Sequence, residues 1–172
     1  MMTALTYGLY AAGVSIAITL LEYFTGLDKT TSGQMLGYLS LPFLAWFIFM
    51  ASKERKEDEF DGTMTYGQGV GTGAMIGLFS GAVMAVFMVI YIQFINSGFI
   101  DMIVQKQEEA FKASGKMTPS DIKNSLGYVR TWALPMTVIF SVIGNTFFAT
   151  IFALITSIFV RTKEDDGVVK AG

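Results

Sequence analysis

The chain has 172 residues, 52% of them hydrophobic and 14% aromatic, with a net charge of −2. It is too apolar for an ordinary soluble domain, and with no basic cluster to release counterions from phosphates, a nucleic-acid partner is excluded. Cysteine and histidine are both absent, which removes disulfides, thiolate and imidazole metal sites, cysteine nucleophiles and the commonest general base near neutral pH.

The charged residues avoid four long apolar runs, which predicts an all-α integral membrane bundle of four transmembrane helices in a single membrane domain over 1–172. The first span covers about 5–24. It follows no basic segment and is too long for a cleaved signal, so it reads as a retained helix. Glu22 is the only ionisable residue near the inside of a predicted span, beside Tyr23 and a turn-like Thr25-Gly26-Leu27-Asp28-Lys29. A short loop then makes an antiparallel hairpin with span two, about 35–50, where Pro42 kinks the helix or marks its entry into lipid. The run Lys53-Glu54-Arg55-Lys56-Glu57-Asp58-Glu59 belongs in water, as a loop or a helix extension.

Thr65 and Gln68 have capping-box spacing at the start of span three, about 69–95. Within it Gly69, Gly73, Gly77 and Gly81, continued by Ala85, repeat small side chains every four residues, a seam along which another helix can approach closely. Candidate mates are Gly8, Ala12 and Ser15 in span one and Ser141, Gly144 and Ala149 in span four. The seam serves internal packing, a separate subunit or second copy, or a ligand path. Gly67, Gly69, Gly71 and Gly73 do not make a nucleotide loop, because no lysine follows at the required spacing and Ala74 stands where a third glycine belongs.

Between spans three and four, the loop over 98–131 carries apolar Ile100, Ile103, Val104 and Phe111 against Lys106, Glu108, Glu109 and Lys112, the pattern of an amphipathic helix on the membrane surface. Thr118-Pro119-Ser120-Asp121 starts a further helix, with Thr118 as cap and Pro119 at the first helical position. It leads through Arg130 and Trp132 into span four, about 133–160, and a polar tail over 161–172. Asp101, Glu108, Glu109 and Asp121 are candidate acid–base groups, but adjacent Glu108 and Glu109 point about 100° apart on a helix, and no catalytic constellation, metal site or cofactor is expected. Gln93 and Asn145 lie within spans three and four, and together with Glu22 they form a candidate polar pocket; cross-helix hydrogen bonding is the simpler role for the two amides.

Lys53, Arg55, Lys56, Arg161 and Lys163 share one side with the N-terminus, against Lys29 and Arg130 near spans on the other. The positive-inside rule therefore puts both termini in the cytoplasm, and a bacterial inner membrane is the expected setting.

Tyr7-Gly8-Leu9 opening the first span, the charged stretch after span two, Gly62-Thr63-Met64-Thr65-Tyr66-Gly67-Gln68 before the glycine-rich span, and Tyr91-Ile92-Gln93-Phe94-Ile95-Asn96 at its end resemble a bacterial membrane family known as domain of unknown function 4199. The resemblance covers about residues 1–163, implies four helices in a bacterial envelope, and brings no activity or catalytic residues. The expected function is a non-enzymatic scaffold or accessory subunit working with a membrane-protein partner or as a homo-oligomer in the lipid bilayer. The alternative is a small transporter or lipid-handling protein built on Glu22, Gln93 and Asn145, and an enzyme acting on a lipid-linked substrate comes third.

Overall fold

The computed structural model describes residues 1–30 and 35–162. Lys163 and the residues after it in the expected polar tail, and the side chain of Lys29, lie outside the described residues. The described chain is helical throughout, with α1 Met2–Thr25, two 3₁₀ turns at Leu27–Lys29 and Leu36–Leu39, α2 Ser40–Asp58, α3 Tyr66–Ile90, α4 Phe99–Ser114 and α5 Pro119–Val160. Four segments among the described residues are long and apolar enough to cross a membrane: Met2–Thr25, Leu36–Asp58, Tyr66–Ile95 and Pro119–Val160. The protein is a multi-pass, all-α membrane protein with an amphipathic helix between its third and fourth spans.

Local chemistry sets the helix ends. Gly26 closes α1 and Gly115 closes α4, each in the left-handed conformation at φ 72° and 63° that only glycine adopts without strain. Thr65 and Gln68 form the expected reciprocal box: Gln68 Oε1 accepts from the Thr65 N–H at 2.8 Å and Thr65 Oγ1 from the Gln68 N–H at 3.2 Å. Thr118 and Asp121 do the same for α5, each N–H reaching the other's side chain at 3.3 Å. Pro42 falls in the first turn of α2, where its missing N–H costs nothing, so it marks helix entry and not a kink.

Two compact units share the chain. The first, Met1–Met84 with the chain from Val142 onward, contains parts of all four spanning helices around a core of Ala4, Ala11, Leu44, Ile48, Ala51, Ile76, Ala149 and Ala153. Small residues dominate because backbones, not side chains, come together. A Cβ added at Gly8 would stand 2.8 Å from Phe79 Cβ and 3.2 Å from the Ile76 carbonyl, which puts α1 directly on α3. One added at Gly77 would stand 2.6 Å from Ala149 Cβ, 2.7 Å from Thr146 Cα and 2.8 Å from the Asn145 carbonyl, which puts α5 on another side of α3. Half of the most apolar window of α3 is buried, against 11% for α5, so α3 is the central helix and α5 a peripheral one. On α5, Ala149, Ala153 and Ser157 turn inward, whereas Ile143, Phe147, Ile151, Leu154 and Ile158 form an exposed apolar stripe that suits lipid.

The second unit, Ala85–Ser141, holds the end of α3, a π-helical turn at Tyr91–Ile95, α4 and the first half of α5. Buried Tyr91 organises it, ring-to-ring with Phe87 at 5.6 Å and edge-on to Phe99 at 5.8 Å, while its hydroxyl accepts from Asn96 Nδ2 at 3.0 Å. An Arg130–Asp101 ion pair at 2.6 Å joins α5 to α4.

Gly77→Ala puts a methyl against backbone atoms that have no rotamer to yield, and should destabilise the protein by about 1–3 kcal/mol. Gly71→Ala enters open space and should be neutral or stabilising through helix propensity. Thermal unfolding of the two variants in the same detergent, followed by size-exclusion, checks the contrast; equal midpoints would contradict the packing described.

Candidate functional site

Of the seam residues, Gly69 faces Ser157, Gly73 faces Ala153 and Ala149 with Ile48 of α2 at 3.2 Å from its Cβ position, and Gly77 faces Asn145, Thr146 and Ala149. Gly81 and Ala85 continue the buried stripe, Ala85 at the start of the second unit. Along Gly69–Gly77 the space beside α3 is therefore filled by this chain's own α5. Of the expected mates, Ala149 meets the stripe, Gly8 meets a different face of α3, and Gly144 opens onto empty space.

The three residues of the candidate polar pocket have separate surroundings. Glu22 is half-buried near the end of α1, with Oε1 3.5 Å from where a Cβ on Gly37 would stand. Asn145 lies on α5 beside α3, its Oδ1 accepting a long 3.5 Å bond from Ser80 Oγ. Gln93 is exposed, in the π-helical turn of the second unit.

A polar site that sequence reasoning missed lies where α2 leaves the core. The charged run is a helix extension, one of its two expected forms, with α2 helical to Asp58, but it is not all in water: Arg55 is only 7% exposed. Arg55 donates to Thr72 Oγ1 of α3 at 2.8 Å and, through Nε and Nη2, to Glu59 Oε2 at 2.9 and 2.7 Å, with its guanidinium 5.2 Å over the Phe60 ring. The Thr72 hydroxyl donates in turn to the Gln68 carbonyl at 2.8 Å. The other Glu59 oxygen holds the Met1 amino group at 2.6 Å. These two cations, the Arg55 bonds first, hold the Glu59 carboxyl below its ordinary range. The signal was available: Leu44, Ile48, Ala51, Ser52 and Arg55 are one buried stripe at helical spacing, running from the core into the charges.

The same end of this unit gathers the chain start and the end of α5. Thr162, just past α5, exchanges two bonds of 2.9 Å with the backbone of Met64, and Tyr66 donates to the Leu154 carbonyl at 3.1 Å. With Met1 on Glu59, the chain start, the α2–α3 connection and the end of α5 lie together, as an even number of spans requires.

In the second unit the candidate acid–base groups are otherwise engaged. Asp101 pairs with Arg130, Glu108 with Lys112 at 2.6 Å, Glu109 accepts from Gln105 at 3.2 Å, and Asp121 caps α5. Among the described residues no three His, Cys, Asp or Glu side chains gather as a metal site would need. An open cleft of about 740 Å³ runs along α5, lined almost entirely by apolar groups such as Ile103, Tyr128, Trp132, Met136 and Phe140. Sequence reasoning did not find it, because its lining comes partly from the expected amphipathic loop, as Ile103 and Tyr128, and partly from span four, as Met136 and Phe140, and spacing along one helix does not bring the two together.

Because its folded-state pKa is depressed, Glu59 contributes stability that is complete above the ordinary carboxylate range and is lost as pH falls through the lowered value. Glu59→Gln should lower stability near neutral pH by about 1 kcal/mol, the bonds to Arg55 being charge-assisted but partly exposed. It should also flatten the acid side of the unfolding profile relative to the native protein. Unfolding midpoints between pH 3 and pH 8 test this, and parallel profiles would remove Glu59 from the account.

The family described as protein of unknown function (DUF4199) matches residues 6–162. No curated protein and no solved structure matches the chain. A match over nearly the whole length, joined to four membrane-spanning helices, means that the chain belongs to the DUF4199 family.

Proposed function

We propose that the protein is a non-enzymatic scaffold or accessory subunit of the bacterial inner membrane, with both termini and the α2–α3 connection in the cytoplasm and α4 on the opposite side. The observation that carries this reading is how the reactive groups are used. Arg55 and Glu59 tie α2 to α3 and the chain start, Asp101 and Arg130 tie α4 to α5, and Asp121 caps a helix. Side chains held this way support architecture in preference to turnover. α5, at 42 residues, is about 63 Å long, roughly twice the hydrocarbon core of about 30 Å. Its first turns and α4 therefore supply an ordered helical surface outside the core. With α5 already on the glycine stripe over Gly69–Gly77, a partner meets the chain through that surface or the exposed charges of α2, such as Lys53 and Glu57.

Lys53, Arg55, Lys56 and Arg161, at the end shared by the chain start and the end of α5, support this orientation, since lysine and arginine near span ends resist translocation. The cysteine-free chain allows a direct test with single cysteines at exposed ends. Lys112→Cys in spheroplasts should react with a membrane-impermeant maleimide, and Glu57→Cys only after lysis. The reverse pattern inverts the topology.

For the subunit role, the tagged protein extracted in mild detergent should retain a stoichiometric membrane partner, and the charge swap Lys106→Glu with Glu109→Lys on α4 should reduce that partner several-fold. Substrate turnover or transport by the purified protein alone would overturn the proposal.

A further inference from the structure

Two side chains in the first unit are polar, fully enclosed and unmatched. Ser52 on α2 is 0% exposed and Ser157 on α5 is 1% exposed, and neither hydroxyl has a hydrogen-bond partner among the described residues. Serine in a spanning helix commonly turns its proton back onto its own helix. Ser15, Ser40, Ser80 and Ser141 do so, donating to the Ala11, Gly37, Gly77 and Thr137 carbonyls at 3.0, 2.7, 3.2 and 2.8 Å. Ser52 and Ser157 are directed elsewhere.

Helical geometry brings the two to one place. On α2, Ile48, Ser52 and Lys56 are successive four-residue steps, each turning about 40° around the axis. Ile48 stands 3.2 Å from the Cβ position of Gly73, so its direction is toward α3, and Lys56 shares a recess with Val160 at the end of α5. Ser52, between them, therefore points into the angle between α3 and α5. The side of α2 toward α1 is a different one, where Glu54 and Phe47 meet Tyr7. The level agrees as well. Joined by a short connection, α2 and α3 run antiparallel, so one turn beyond the Ile48–Gly73 contact Ser52 comes level with Gly69. There a Cβ added to Gly69 would stand 2.9 Å from Ser157 Cβ, with Ser157 Oγ nearer still. Both hydroxyls thus enter one wedge beside the bare backbone of Gly69, and they are not bonded to each other.

The surroundings decide what fits. Leaving a buried hydroxyl unmet is costly, whereas one water molecule can accept from one hydroxyl and donate to another. A cation is disfavoured beside the buried guanidinium of Arg55, one turn from Ser52, and an anion gains little where Glu59 already neutralises that charge. The same node supplies a way in, since Arg55 links fully buried Thr72 to Glu59, whose side chain is 28% exposed. We propose that the wedge between α2, α3 and α5 binds one water molecule, which bridges the Ser52 and Ser157 hydroxyls at the level of Gly69. The site depends on the packing of the first unit and not on the subunit reading.

The test uses the purified full-length protein in lipid nanodiscs, given a short X-ray pulse that turns water into hydroxyl radicals, with oxidised side chains mapped by mass spectrometry. Radicals from bulk water reach exposed groups, so Ile48 and Ile76, both 0% exposed, differ only where water is bound beside one of them. Ile48, one turn from Ser52, should be oxidised several-fold faster than Ile76, whose carbonyl lies by Gly8. Combining Ser52→Ala with Ser157→Ala should bring Ile48 down to the Ile76 rate without changing the elution volume. Each single variant strands the remaining hydroxyl and should lower the unfolding midpoint by about 2–4 °C, and the double variant should lose less than the two losses added together. Ile48 oxidised no faster than Ile76 overturns the proposal. A raised midpoint in either single variant does so too, being the result for a bare hydroxyl relieved of its burial cost. A direct Ser52–Ser157 bond would give the same non-additivity with Ile48 unlabelled, and would equally overturn it.

Discussion

Helices surrounded by hydrocarbon gain nothing by hiding leucine from a solvent as apolar as leucine, so what holds them together must be close packing and the few hydrogen bonds that packing permits. In the first unit that requirement falls on the line where α3 and α5 meet. Gly69, Gly73 and Gly77 on one helix lie against Ser157, Ala153 and Ala149 on the other, and the missing Cβ atoms are the space the second backbone occupies. Other features of this unit follow from it. α3 becomes central because its glycine side takes α5 while Ile76, Phe79 and Ser80 take α1 at Gly8. Large side chains are pushed to the far face of α5, where Phe147 and Ile158 meet lipid.

The same closeness explains a charge inside the helix packing. Thr72 lies between Gly69 and Gly73 on α3 and is fully buried, so its hydroxyl is available only to a group arriving along α2. Arg55 is that group. A buried guanidinium is tolerated where its donors are met, and here Thr72 and Glu59 meet three of its N–H bonds within 2.9 Å. Removing one partner costs more than the pair contributes, because the other charge stays where water is scarce. The node is therefore a lock on helix placement more than a source of net stability.

Much of this architecture is legible in the sequence because the bilayer simplifies the code. Apolar length reports spans, and Thr65 with Gln68 and Thr118 with Asp121 report helix starts. The Arg55 node escaped notice because the whole charged run, loop or helix extension, was assigned to water. α2 passes through Lys53 to Asp58 without a break, and its buried stripe carries Arg55 inward by helical geometry alone. The partner choice of the glycine stripe was equally hidden. Ser141, Gly144 and Ala149 are all small, but only the register of α5 decides that Ala149 meets α3 and Gly144 meets nothing. Composition at one position cannot reveal a rotation about a helix axis.

α5 uses one register for two purposes. Ala133, Thr137, Ser141, Asn145, Ala149, Ala153 and Ser157 recur every four residues along it. From Ala149 to Ser157 that line meets glycines, each small residue answered by one smaller. From Ala133 to Ser141 it floors an open cleft, with Trp132 and Phe140 as its rim. A small side chain removes the same volume in both places, and what differs is whether a backbone arrives to fill it. In the first unit the volume becomes helix packing, and in the second it remains open as a cleft.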